Sequence, residues 1–195
     1  LGVDAEWQPE VSKGSRSPVA VVQLAFRRNV FVLDLQLLLK DAMLGPRTEA
    51  LLRSLMESPE LFKVGFGITQ DIDRIFETLP GAWPKGACSV IELQSLAGLA
   101  LPSKKLSGGL SGLCQLVLGR GLDKAQQTSN WSARPLNADQ IAYAAQDAHV
   151  CVRLFDALCY RHATVASQPL LPVIRSIAFD WCSDKNGVEA SQVVL

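Results

Sequence analysis

Two carboxylate side chains stand two positions apart near the start of the sequence, Asp4 and Glu6 in the segment LGVDAEW. The apolar residues around them are typical of a buried strand, and side chains alternate along a strand, so both acids are expected on one face. Neighbouring carboxylates repel each other and lose hydration on burial, which predicts a cation between them. The alternative is an exposed strand end with solvated acids.

A second pair of candidate groups belongs to the strongest predicted helix, which runs from Asn137 to about His162. Tyr143 and Asp147 are four residues apart, so both lie on one face of that helix. Gln140 stands three residues after Asn137, a capping-box arrangement that marks the helix start. The small alanines beside the pair allow another element to approach closely, although a surface Asp beside a half-buried Tyr fits the same spacing.

A further carboxylate follows Gly65-Phe66-Gly67 near the start of a predicted helix over 69–78. Asp71 is a candidate because the helix dipole favours negative charge in the first turn. Asp73 is a rival for the same role, and an ordinary N-terminal helix acid is the simpler interpretation of either residue.

Together these acids predict a metal-dependent phosphodiesterase site. Asp4, Glu6, Asp71 and Asp147 offer hard oxygen ligands from three separate elements, which Mg²⁺ and Mn²⁺ prefer. Two such ions roughly 4 Å apart can hold the attacking and leaving oxygens of a phosphodiester during in-line displacement. A hydroxyl beside them, here that of Tyr143, can orient the attacking water.

The elements that must position these groups change type along the chain. Three early apolar segments, the last two joined by a turn at 27–29, predict antiparallel pairing, and later strands separated by helices predict parallel crossovers. The expected fold is α/β, a mixed sheet flanked by helices. The predicted strands cover 1–7, 18–26, 30–35, 61–66 and 89–93; the predicted helices cover 48–57, 69–78, a stretch ending near 101, 110–118, 137–162 and 172–181.

Composition narrows the class of protein. In 195 residues, 48% hydrophobic and 19% charged residues exclude intrinsic disorder, and 19 Lys+Arg against 19 Asp+Glu exclude a bulk polycation that coats nucleic acid. The longest apolar run is too short to span a bilayer, so no membrane partner is expected. Five cysteines without a CxxC pair, together with two histidines, give little support for zinc and favour reduced core thiols in an intracellular protein.

Four motifs in order carry a family resemblance. Asp4-Ala5-Glu6, VVQLA (21–25), VGFGITQDIDRI (64–75) and YAAQDA (143–148) resemble the DEDD superfamily of 3′→5′ exonucleases, in the subgroup with a tyrosine four residues before the last Asp. The stretch SNWSARPLNADQIAYAAQDA (129–148) is similar to the ribonuclease D and Werner-syndrome-exonuclease branch, and within it to animal relatives of the worm mutator exonuclease.

The resemblance implies a fold and a division of the chain. The family fold is ribonuclease-H-like, which agrees with the order of strands and helices above. Residues 1–165 would form the exonuclease domain, without the helix and short strand that usually precede the Asp-x-Glu strand. Residues 166–195 would add a helix and tail to the same domain.

The resemblance also implies a role for each acid. Asp4 would bridge two Mg²⁺ or Mn²⁺ ions, Glu6 would bind one ion and the terminal 3′ hydroxyl, and Asp147 would complete the first ion's ligands. Asp71 would act on the second ion largely through water, and its Gly-x-Gly-x-x-x-Asp spacing fits this branch better than that of Asp73. Tyr143 would orient the nucleophilic water.

Substrate contacts are predicted from the chemistry of a terminal nucleotide. Phe66, Trp7 and Leu24 are expected as apolar neighbours of the acids, and Gln23 as a hydrogen-bonding group for sugar or phosphate. Arg134 is the preferred phosphate contact because it precedes the Tyr143 helix. A core position for Phe66 and Leu24, and an ordinary surface role for Arg134, are the alternatives.

The function that this sequence favours is a metal-dependent 3′→5′ exonuclease acting on single-stranded ends of RNA or DNA. Its protein partners, if any, are left open. The main alternative is a catalytically silent exonuclease-fold module that serves as a nucleic-acid or protein-binding scaffold. A phosphoesterase acting on small molecules is a weaker third possibility.

Overall fold

The computed structural model describes residues 1–10, 15–81, 86–166, 170–181 and 191–192. The strands are β1 (Gly2–Trp7), β2 (Val19–Ala25), β3 (Val30–Asp34), β4 (Lys63–Gly65), β5 (Ala87–Glu92), β6 (Phe179–Trp181) and β7 (Ser191–Gln192). The helices are α1 (Leu35–Leu38), α2 (Leu44–Met56), α3 (Ile68–Thr78), α4 (Leu93–Ala100), α5 (Gly109–Leu118), α6 (Ala138–Ala166) and α7 (Leu170–Ile177).

Within the described residues, all strands join one sheet in the order β3-β2-β1-β4-β5-β6-β7. The first three pair antiparallel, β4 and β5 run parallel to β1, and the last two return antiparallel. The predicted mixed α/β sheet is therefore confirmed. Because β1, β4 and β5 are parallel, their carboxyl ends meet at one edge of the sheet, where sites in such folds commonly form.

Helices cover both faces of the sheet and bury separate apolar clusters. On one face, Leu52 of α2 and Ile72 of α3 pack against Val3, Ala5 and Val22. On the other face, α4, α5 and α6 pack against β4 and β5 in a second cluster, whose members include the buried thiols Cys114, Cys151 and Cys159. The core placement expected for the cysteines is confirmed for these three, whereas Cys88 is only half-buried and Cys182 lies outside the described residues.

The predicted helix over 172–181 is wrong at its end. The helix stops at Ile177, and Phe179–Trp181 forms a strand beside β5. Asp180 accepts a hydrogen bond from the backbone N–H of Ser89 at 2.8 Å, and the indole of Trp181 donates to Asp73 at 2.9 Å. These partners stand about a hundred residues away, so pairing with a sheet edge overrides the local helical pattern.

The bounds of helices α2 and α6 also differ from the sequence prediction. Helix α2 starts at Leu44, before the predicted start at 48, because Pro46 falls in the first turn, where a missing N–H costs little. Helix α6 continues to Ala166, and its start has the predicted capping box: Gln140 N–H donates to the Asn137 side chain at 2.8 Å.

Among the described helices, none is both long enough and apolar enough to cross a membrane.

Helix α6 approaches β1 so closely that only glycine fits at position 2. A Cβ on Gly2 would lie 2.4 Å from the carbonyl oxygen of Ala148 and 2.9 Å from a methyl group of Val152. Ala144 and Ala148 are fully buried at this contact. Small side chains on both elements therefore set the distance between the strand and the helix that carry the candidate acids.

We predict that Gly2→Ala destabilises the fold by about 1–3 kcal/mol, because the methyl group meets backbone that cannot move aside. Gly98→Ala is the matched control: its Cβ would meet nothing within 4 Å in α4, so helix propensity makes it neutral or stabilising. Urea unfolding of both variants measures the difference. Equal free energies of unfolding would contradict the close contact.

Candidate active site

Strand β1 presents Asp4 and Glu6 on the sheet face that α6 covers. Val3 and Ala5 point the other way, into the cluster beneath α3, with 1% and 5% of their surface exposed. The alternation expected from the sequence is thus present, and it brings both half-buried carboxylates beneath the helix that carries the other predicted residues.

Helix α6 adds Tyr143 and Asp147 from one face, one turn apart. Asp147 is buried, Tyr143 is half-buried, and the phenol donates a hydrogen bond to the Asp147 carboxylate. The two residues reach the acids of β1 because the alanines next to them let the helix pack closely against the strand.

Three carboxylates from these two elements form one cluster. Asp4, Glu6 and Asp147 each offer an oxygen atom, and these oxygens all lie within 4.8 Å of one another. Asp71 lies outside this three-carboxylate cluster but beside it: its carboxyl group is buried on α3 and is exposed to the negative charge of Asp4 and Glu6. Strand β1 and helix α6, about 140 residues apart in sequence, thus bring their acids to one place.

Lost hydration raises the pKa of every acid in this group, and repulsion from neighbouring carboxylates raises it further for Asp4 and Glu6. Burial is the main cause of the raised pKa of Asp4, and the charge of Asp147 adds to it. Burial and then the charges of Asp4 and Asp147 raise the pKa of Glu6. Burial also raises the pKa of Asp147 to about 6, against the lowering effects of the Tyr143 hydrogen bond and Lys124. A cation would relieve the repulsion among these groups.

The structure separates the two rival acids of α3. Burial, followed by the charges of Asp4, Glu6 and Glu92, raises the pKa of Asp71. Asp73 instead accepts the hydrogen bond of Trp181 on the far side of the helix. Asp71 is therefore the α3 acid that faces the cluster.

The donor set fits hard divalent cations. Carboxylate oxygens are the ligands that Mg²⁺ and Mn²⁺ prefer, and a group of half-buried acids with raised pKa values is stabilised when such an ion binds. Asp4, Glu6 and Asp147 would hold such an ion, and Asp71 lies beside them.

A cavity of about 520 Å³ opens above the cluster. Trp7, Phe66, Leu110 and Leu122 provide apolar walls, and several polar side chains complete the lining: Gln70, Ser111, Asp123, Lys124, Gln127 and Thr128. Of the described residues that line this cavity, Lys124 is the one with a positive charge. Pockets of this size and mixed lining hold small ligands or the end of a larger one.

The predicted substrate contacts divide into two groups. Trp7 and Phe66 line the cavity, as expected. The structure does not bring the other three there. Leu24 pairs in register with Val3 and points into the opposite core with 3% exposure, because its register places it one position away from the acids' face.

Gln23 and Arg134 also lie outside the cavity lining. Gln23 pairs with Asp4 across the strands and shares its face, but it is fully buried, and neither atom of its amide has a hydrogen-bond partner among the described residues. Arg134 binds Asp34 at the end of β3. Asp34 lies 100 positions away in sequence, so the residues around Arg134 do not indicate that the two side chains form an ion pair.

Glu92 lies beside the site and was not among the residues predicted for it. One carboxylate oxygen accepts from the N–H of Gln94 and the other from the N–H of Ile68, each at 3.1 Å. One side chain therefore caps the starts of both α4 and α3, and its charge acts on Asp71. An acid directly before a helical segment is the signal that could have found the first of these two caps.

Comparison with known proteins gives a family match over most of the chain. Residues 1–161 match the family model described as 3′-5′ exonuclease. The human protein called exonuclease mut-7 homolog is 34% identical over 179 residues, which cover 82% of this chain and 20% of that protein. The exonuclease mut-7 of Caenorhabditis elegans is 32% identical over 169 residues, with 80% and 18% covered.

Solved structures share the fold. The EXO domain of Nibbler from Aedes aegypti superposes with a TM-score of 0.71 at 24% identity and covers 90% of this chain and 84% of that domain. This chain spans about a fifth of the length of the curated relatives named above.

The raised carboxyl pKa values predict how metal-free stability depends on pH. An acid whose pKa is higher in the folded than in the unfolded state adds to the free energy of unfolding at low pH. That contribution is fully present below the ordinary carboxyl pKa and is lost as the pH rises through the raised pKa. The melting temperature of the metal-free protein should therefore decrease as the pH is raised from about 5 to about 8. Asp4→Asn should melt higher than wild type near pH 8, by roughly 2–4 °C for each kcal/mol of repulsion removed.

Thermal melts in EDTA across this range measure the effect. Asp139→Asn, an exposed acid in the first turn of α6, is the control and should keep the slope of the wild type. Parallel curves for wild type and Asp4→Asn would contradict the repulsion at the cluster.

Proposed function

The chain belongs to the 3′-5′ exonuclease domain family of the DEDD type, and from that membership we propose that it removes nucleotides one at a time from the 3′ end of single-stranded nucleic acid, with divalent metal ions. The observation that carries this proposal is the meeting of Asp4, Glu6 and Asp147 within 4.8 Å beside Tyr143, at the base of a cavity. A scaffold that only binds a partner has no physical need for repelling acids at such a place.

The metal ions would be held by the three-carboxylate cluster, with Asp71 serving a second ion. When bound, Mg²⁺ or Mn²⁺ supplies positive charge to the scissile phosphate and makes water a better nucleophile. The carboxylates must be deprotonated to bind an ion, and their raised pKa values mean that ion binding releases protons.

Tyr143 would orient the attacking water rather than remove its proton. Burial, and then the charge and hydrogen bond of Asp147, raise the pKa of Tyr143 above its ordinary value, so the phenol stays protonated at neutral pH. Its O–H donates to Asp147, which leaves the lone pairs of the hydroxyl oxygen to accept a hydrogen bond from water. A water held in this way has a fixed orientation toward the cavity.

The cavity walls suit the terminal nucleotide of a single strand. Aromatic rings such as Trp7 and Phe66 stack on an unpaired base, an interaction that every base can make. Lys124 stands where it can pair with a backbone phosphate, and with a formal net charge of zero the whole chain offers little nonspecific attraction. Binding is therefore expected to depend on the metal ions at the reacting phosphate.

We predict that the protein shortens 5′-labelled single-stranded oligonucleotides stepwise in Mn²⁺ or Mg²⁺ and leaves a circular single strand intact, because a circle has no 3′ end. Asp147→Asn should lower the rate by more than about 100-fold, since even residues that only support a metal ligand cost 10–100-fold when changed. Asp139→Asn should act as the wild type. RNA and DNA run in parallel give the preference, and the absence of shortening on both would contradict the proposal.

Tyr143→Phe should reduce kcat by roughly 100-fold with KM and Mn²⁺ affinity unchanged, because the ring still packs while the hydroxyl that orients water is gone. Single-turnover rates and calorimetric Mn²⁺ titration separate these quantities. A variant with the wild-type kcat would show that Tyr143 has no part in the reaction.

A further inference from the structure

Arg134 is the most fully hydrogen-bonded cation of the described residues outside the cavity. Its guanidinium uses all five N–H donors: Nε and Nη2 bind the two carboxylate oxygens of Asp34, Nη2 also binds the carbonyl of Ala20 at 3.2 Å, and Nη1 binds the carbonyls of Trp131 and Ala133 at 2.7 and 2.6 Å. No donor is left for a phosphate.

The partners of Arg134 belong to two different parts of the fold. Asp34 ends the edge strand β3 and also caps α1 through the N–H of Leu37 at 3.0 Å, and Ala20 belongs to β2. Trp131 and Ala133 belong to the segment that leads into α6. One guanidinium therefore fastens this segment to the sheet, and the ion pair is shielded, with side-chain exposures of 16% for Arg134 and 27% for Asp34.

The fastened segment supports the ring of Tyr143. Trp131 is fully buried, and its ring centroid lies 6.1 Å from that of Tyr143 at an interplanar angle of 44°. Both pack in a small cluster with Val21 and Ala144. The indole N–H of Trp131 has no hydrogen-bond partner among the described residues, so its position depends on packing and on its backbone bonds, including the one from Arg134.

We propose that Arg134 is a positioning residue for Tyr143, acting through Trp131, and not a contact for the substrate phosphate. Because Arg134 binds the carbonyls of Trp131 and Ala133, it fixes the segment whose Trp131 ring packs against the Tyr143 ring. The hydroxyl then keeps its direction toward Asp147 and the water that it orients. This inference rests on the proposed function, since the effect is exerted on the reaction.

The test is a double-mutant cycle measured as kcat and KM on the single-stranded substrate. Arg134→Met is expected to lower kcat by about 10–100-fold with KM and Mn²⁺ affinity unchanged, because a small displacement of a positioned group costs that much. In the Tyr143→Phe background the same change should have no further effect on kcat. Arg134→Lys should not restore kcat, because an ammonium cannot reproduce the planar fork of five donors.

Asp34→Asn provides a second, milder route to the same result if Arg134→Met folds poorly. It should lower kcat in the same direction and be non-additive with Tyr143→Phe. The control is Arg27→Met, which removes another long-range arginine pair, with Asp156, that is exposed and remote from Tyr143. It should leave kcat unchanged.

Three outcomes would overturn the inference. A raised KM that Arg134→Lys rescues would make Arg134 a phosphate contact, because lysine also binds phosphate as a point charge. Multiplicative losses in the Arg134→Met, Tyr143→Phe double variant would indicate general structural damage. A wild-type protein without activity would overturn the proposed function first, and this inference with it.

Discussion

Mutual repulsion among Asp4, Glu6 and Asp147 is the constraint on which the rest of the site depends. Three carboxylates with oxygens within 4.8 Å lose hydration and repel each other. Burial raises the pKa of all three, and the neighbouring charges raise it further for Asp4 and Glu6. The surrounding structure must hold these groups together at this cost, which protons relieve before a cation binds and replaces them. Close packing of β1 against α6, made possible by Gly2 and the buried alanines 144 and 148, provides that restraint.

A second constraint concerns the direction of side chains rather than their proximity. Tyr143 contacts Asp147 through an interaction within one helix, which keeps its hydroxyl close to Asp147. The orientation of its ring depends on Trp131 and on the segment that Arg134 ties to β2 and β3. The metal site and the tyrosine are thus positioned by different contacts, and substitutions can separate metal affinity from rate.

Short-range patterns predicted much of this site, and long-range pairing explains what they missed. Alternation along β1 placed Asp4 and Glu6 on one face, and the spacing of Tyr143 and Asp147 placed them one turn apart, because both periodicities are local. Leu24 was expected near the acids, but its face is set by which residue of β1 it pairs with, and the register is not readable from β2 alone. Arg134 and the strand at 179–181 depend on partners about a hundred residues away. Local sequence therefore predicted Arg134 as a phosphate contact and residues 179–181 as part of a helix.

The central claim is that this cluster exists to hold divalent cations. Crystals soaked in Mn²⁺ and measured at the manganese absorption edge test it most directly, because anomalous scattering locates the ion itself. The account predicts anomalous density in contact with carboxylate oxygens of Asp4, Glu6 and Asp147, absent from Asp147→Asn crystals treated in the same way. Saturating Mn²⁺ that leaves these oxygens without density, or that collects elsewhere on the protein, would contradict it.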